Sequence, residues 1–198
     1  CSGSRGGGME GCGISRDEAV AMLERKISNL ALRRHCLATG AIMRSLASRL
    51  GCEDCSSAWE VTGILHDLDY EETASTPERH GTVTCAMLEG RLPAECLHAI
   101  LSHNAENNGS TRETRLDRLL TAAECVTGLV TATALIHPDR RIAGVEPSSV
   151  IKRMNKTGFA RTVSREGIME CVAAGIDLDE FVAISLDSMK SMAEDLGL

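Results

Sequence analysis

At 198 residues, 43% hydrophobic and 25% charged, the chain has the size and balance of one globular core with at most a small helical appendage. A net charge of -7 and a pI near 5.4 argue against a nucleic-acid or anionic-membrane surface. No window reaches the ~18 consecutive apolar residues of a membrane span, and nothing resembles a signal peptide.

Residues 1–14, opening Cys1-Ser-Gly-Ser-Arg and then glycines, read as a flexible leader or tag remnant with Met9 a plausible first residue. Residues 15–198 are expected to form one helical domain, with a core at about 29–137 and a helical extension at about 148–198. Ser15-Arg-Asp-Glu18 is a capping-box signature and opens a helix to about Ile27. A longer helix is predicted from Asn29 to Leu50, stopped by Gly51, with Leu32, Cys36, Met43 and Leu46 inward and His35 leaning to the same side. Nine cysteines, an odd number scattered through helical segments, make no disulfide framework and fit a reducing cytoplasm. Cys52-Glu-Asp-Cys55 has zinc-like spacing but no second pair to complete a site, so it reads as small buried hydrophobes at a helix start.

The third helix runs from about Glu53 to His66 and is followed by a polar loop, Asp69 to Ser75. Thr76-Pro77 reads as an N-cap and first helical residue, giving a helix to Glu89 with His80 in its opening turn. Pro93 starts another helix in which Cys96, Ile100 and His103 share a stripe and His98 points away. After a polar loop from Asn104 to Glu113, the longest helix spans Thr114 to Ile136, with Asp117 and Glu124 on nearly one face. Helices near Ser148 to Asn155, Arg165 to Ala174 and Leu178 to Leu196 follow, and no period-2 strand is evident. The reading is all-α.

One stretch stands out, Gly63-Ile64-Leu65-His66-Asp67-Leu68-Asp69-Tyr70-Glu71, where an apolar helical run ends in adjacent imidazole and carboxylate groups. Adjacent helical residues diverge by about a quarter turn, so both can reach one ion only where the helix ends. His35, His66, His80 and His103 lie on different helices at inward positions or helix ends. With Asp67 and an acid on the long helix, they make a donor set that facing helices of a bundle can assemble around a metal.

The order Arg34-His35-Cys36-Leu37, Leu65-His66-Asp67-Leu68, Pro77-Glu-Arg-His80-Gly81, His98-Ala-Ile-x-x-His103-Asn104, Leu116-Asp117, Thr127-Gly128-Leu129 and Ser149-Val150-x-Lys152-Arg153 resembles the HD-domain superfamily of metal-dependent phosphohydrolases. It is closest in type to small bacterial HDIG proteins, and the resemblance covers about Leu32 to Phe181. It implies an all-α bundle with a first metal held by His35, His66, Asp67 and Glu124. In dinuclear relatives the positions of His80 and His103 hold a second ion with the Asp bridging. Glu124 departs from the family pattern, which has Asp there, and Asp117 is the alternative acid on that helix. The implied cofactor is one or two divalent ions, Mn, Fe, Co, Ni or Zn, with Mg possible.

The resemblance also implies roles. Asp67, Asp69 and His80 are the expected catalytic groups, Asp69 as general base or as an acceptor that orients a ligand. With one ion, His80 and His103 would bind phosphate or shuttle protons. Arg34, Arg79, Lys152 and Lys156 are the candidate phosphate contacts. The expected activity is hydrolysis of a small phosphate ester, a nucleotide by analogy with the family, by a cytoplasmic protein that binds neither nucleic acid nor membrane and can form a homodimer. Two other classes stay open: a binding or regulatory module on the same fold, kept alive by Glu124, and a di-iron oxygenase.

Overall fold

The computed structural model describes residues 12–156 and 158–198, so the expected leader lies outside the described residues except at 12–14. Those three residues are packed rather than free: Ile14 is buried, and the Gly13 amide donates to the Arg91 carbonyl at 3.0 Å. Among the described residues every regular element is a helix, with no strand.

Helix α1 (Arg16–Lys26) is capped by Ser15, whose hydroxyl accepts from the Glu18 amide, and α2 (Leu30–Arg49) by Asn29, which accepts from the Leu32 amide. A 3₁₀ turn at Glu53–Cys55 leads into α3 (Ser56–Leu65). Gly40 of α2 meets Gly63 of α3 so closely that a Cβ on Gly63 would stand 2.7 Å from Gly40 Cα. This crossing, open only to glycine, brings the start of α2 beside the end of α3.

The segment after α3 departs from the predicted single helix. A 3₁₀ turn at Pro77–Arg79 stops, His80 is extended, Gly81 takes φ 86°, and only then does α4 (Thr82–Leu88) begin. Thr76 makes no side-chain cap. The break is fixed from outside, since the Gly81 and Thr84 amides both donate to the Asp69 carboxylate. Next come α5 (Ala94–His103) and a one-turn helix, α6 (Ala105–Asn108), inside the predicted loop.

Helix α7 (Arg115–Leu135) begins with a full capping box between Thr114 and Asp117 and packs against α2, α5, α8, α9 and α10. By length and hydropathy alone it could cross a bilayer, but 61% of that window is buried inside the fold, as expected of a central core helix. Helices α8 (Pro147–Met154), α9 (Arg165–Ala173) and α10 (Leu178–Lys190) close one side, and α11 (Ala193–Leu196) follows a break in the predicted last helix. Asp177 makes no side-chain cap, and the Glu180 side chain pairs with Arg49.

Cys52 and Cys55 are joined by a disulfide, which corrects both earlier readings of the pair. The 3₁₀ turn places positions three apart over one another, with Cα atoms 5.3 Å apart, inside the range a bridge spans. Neither sulfur is then a thiolate ligand, and neither residue is fully buried.

Candidate metal centre

Asp67 is the hub of the site. Its Oδ1 lies 3.4 Å from His66 Nε2, 3.1 Å from His80 Nε2 and 3.4 Å from His103 Nε2, and its Oδ2 lies 3.6 Å from His35 Nε2. Four imidazoles from α2, the end of α3, the break before α4 and the end of α5 thus converge on one carboxylate. The Nε2 atoms also crowd one another, His35 and His66 at 3.3 Å, His80 and His103 at 2.9 Å.

Each ring is held from behind through Nδ1. His66 donates to the Gly63 carbonyl at 2.8 Å, His103 to the Ile100 carbonyl, and His80 to the Asp69 carboxylate at 2.7 Å. His35 Nδ1 lies 2.7 Å from Thr127 Oγ1, whose own proton goes to the Glu124 carbonyl, so this Nδ1 is the donor as well. Nδ1 therefore carries the proton of each neutral ring, which turns an Nε2 lone pair inward, while a cationic His80 presents an Nε2–H to Asp67 and His103 instead. Lone pairs at these separations repel unless a cation lies among them.

The electrostatics follow from this crowding. Burial pushes His66 down to about 3, with His103 and His35 adding to the fall against Asp67. Burial alone would raise the Asp67 carboxyl, but the surrounding histidines hold it well below the usual carboxylate range. For His80 burial is outweighed by Asp67 and Asp69, which raise it to about 9. Burial raises the half-buried Glu124 carboxyl, and Asp67 adds to that.

Two donor groups able to hold an ion result: His35 with His66 and Glu124, and His66 with Asp67 and His103, each with its ligand atoms within 4.8 Å of one another. Buried imidazole and carboxylate donors suit divalent Mn, Fe, Co, Ni or Zn. Glu124 reaches the cluster despite its extra methylene. Asp117 does not: its Oδ2 accepts from the Glu113 and Thr114 amides and faces His98 Nδ1 at 3.0 Å, a helix cap at the other end of the face.

The remaining expected residues divide. Asp69 does not point at the cluster; it is fully buried and occupied by His80, Gly81 and Thr84, which makes it the group that orients His80 rather than a base for water. Arg34 and His35 share the wall of a cavity described below. Arg79, Lys152 and Lys156 are exposed and line neither cavity at His35. Sequence reasoning gave no role to Thr127, although it stood in a quoted motif, nor to Thr162–Ser164, whose loop walls a cleft of about 260 Å³ with His35, Glu124 and Cys125.

The family model of the HD domain matches residues 32–129, the segment that carries every donor named above. No curated protein and no solved structure matches the chain.

Proposed function

We propose that the chain, whose residues 32–129 match the HD domain, a module typical of metal-dependent phosphohydrolases, hydrolyses a phosphate monoester at the Asp67 centre. The observation that carries this reading is the set of four histidines, each anchored through Nδ1 and each presenting Nε2 to one buried carboxylate. Such a set fits a divalent metal better than any neutral ligand. Bound divalent ions would supply a water acidic enough to ionise near neutral pH and positive charge for the phosphate oxygens.

The residues divide the work around that chemistry. His35, His66, Asp67 and Glu124 would hold a first ion, and His80 and His103 a second with Asp67 shared between them. Where only one ion is present, His80, kept cationic by Asp69 behind it, offers its Nε2 proton to a phosphate oxygen or to the departing alcohol oxygen. In the overall reaction a water oxygen forms the new P–O bond, the ester P–O bond breaks, and the alcohol oxygen takes a proton. A binding-only module would rest on Glu124, but the grouping of its carboxylate with His35 and His66 favours a competent site.

The test is release of inorganic phosphate from p-nitrophenyl phosphate after loading with Mn, Fe, Co, Ni or Zn in turn. Turnover by the wild type with at least one ion, lost in Asp67→Asn, is the expected result. No turnover with any ion, while the ions bind, would favour the binding module, and oxygen uptake on substrate addition would favour the oxygenase.

A further inference from the structure

A cavity of about 440 Å³ lies beside the metal centre, between α2, α7, α10 and the turn at Leu196–Leu198, and no step so far uses it. His35 and Thr127 form part of its wall and also part of the wall of the cleft that holds Glu124, so the two hollows share a metal-centre residue, His35. Its lining runs from exposed Ala31 and Leu135 to buried Ala38 and Met189. Small side chains on the facing helices, Ala38 and Ala132 among them, leave the space open.

The walls are aliphatic. No Phe, Tyr or Trp lines the cavity, and the polar side chains are Arg34, His35 and two threonines. Thr127 is already engaged by His35 and by the Glu124 carbonyl. A nucleoside placed here would have no Phe, Tyr or Trp to stack on and few free partners for its base and ribose, and each polar group left unpaired out of water weakens binding. An aliphatic body has no such cost. Arg34, whose guanidinium lies against Gly197, has a buried Nε without a partner among the described residues, so one polar or anionic group of the ligand can be met in the wall.

We infer that this cavity takes the alcohol part of the substrate and that this part is aliphatic, making the substrate class phosphate monoesters of apolar alcohols rather than nucleotides. The inference rests on the hydrolase reading for the word substrate, but the binding claim can be read without turnover.

The experiment is calorimetric titration of the metal-loaded full chain with butyl-, hexyl- and octylphosphonate, whose P–C bond does not hydrolyse, and with the phosphonate analogue of adenosine monophosphate. Affinity should rise about threefold to fourfold per added methylene, the gain expected from burying about 0.8 kcal/mol of hydrocarbon per CH₂, and the adenosine analogue should bind more weakly than octylphosphonate. Ala132→Phe should flatten the series by filling the hollow, and Ala31→Trp at the rim serves if the first variant does not fold. Arg34→Gln should weaken all three alkyl ligands by a common factor and leave the gain per methylene unchanged. A flat series in the wild type, a series unaltered in the filled variant, or tighter binding of the adenosine analogue overturns the assignment. An intact series in a protein that releases phosphate from neither octyl phosphate nor p-nitrophenyl phosphate would sink the hydrolase reading and leave the cavity assignment standing.

Discussion

Asp69 Oδ1 stands 2.7 Å from Nδ1 of His80, while Asp69 Oδ2 receives the backbone amides of Gly81 at 3.0 Å and Thr84 at 2.8 Å. One buried carboxylate therefore fixes both the ring and the backbone break that carries it. Asp69→Asn keeps the shape but weakens the charge behind His80. The expected result is a loss of about 10- to 100-fold in affinity for the second ion, with the first ion held as before, read by competitive metal titration. Equal loss at both ions would show that Asp69 acts on the fold and not on His80.

Gly81 is the hinge of that break. At φ 86° a side chain is strained, and a Cβ there would also stand 2.9 Å from the Ile100 carbonyl oxygen. Gly81→Ala should cost about 1–3 kcal/mol of stability, which for a chain of this length lowers the Tm by about 2–4 °C per kcal/mol. A Tm equal to that of the wild type would place the strain elsewhere.

Glu124 gives a graded test of the first ion. Glu124→Ala removes a donor from the group it makes with His35 and His66 and should strip that ion, whereas Glu124→Asp shortens the reach by one methylene and should retain it. Equilibrium dialysis separates the two outcomes, and identical loss in both variants would remove Glu124 from the ligand set.

The pH dependence of the metal-free protein follows from two opposed histidines. His66 stays neutral in the fold down to about 3, so between 3 and 6.5 the unfolded chain binds the extra proton and stability falls as pH falls. His80 stays protonated up to about 9, so its contribution is fully present below 6.5 and is lost as pH rises through 9. The Tm of the chelated protein should therefore peak near 6.5 and drop by on the order of a few degrees on either side. Loading with metal should abolish the alkaline decline if His80 becomes a ligand, because its proton is then displaced. Scanning calorimetry in matched buffers reads both limbs.

Much of this centre was legible in the sequence because it depends on residue type and helical phase. His35 and His103 fall on inward stripes, and His66-Asp67 sits at a helix end, which are local properties. The break at His80 was not legible, since Thr76-Pro77 is a good helix start and the force that ends it comes from Asp69, distant until the chain folds. For Asp69 the sequence left two readings open, base or orienting acceptor, and its two oxygens, occupied by His80, Gly81 and Thr84, favour the second. Thr127 and Thr162–Ser164 were invisible for the related reason that their value comes from what they face across the bundle. Lys152 and Lys156 were read as phosphate contacts from their charge; both are exposed, Lys152 on α8 and Lys156 beyond its end, and neither lines a cavity at His35.

The most direct test of the central claim is metal content per chain by elemental analysis, with wild type and His66→Ala prepared side by side without chelator. His66 belongs to both donor groups, so its loss removes a ligand from each. The account predicts about one or two equivalents of Mn, Fe, Co, Ni or Zn in the wild type and close to none in the variant. Absence of metal from the wild type, even after incubation with these ions, or equal content in the two proteins, would contradict it.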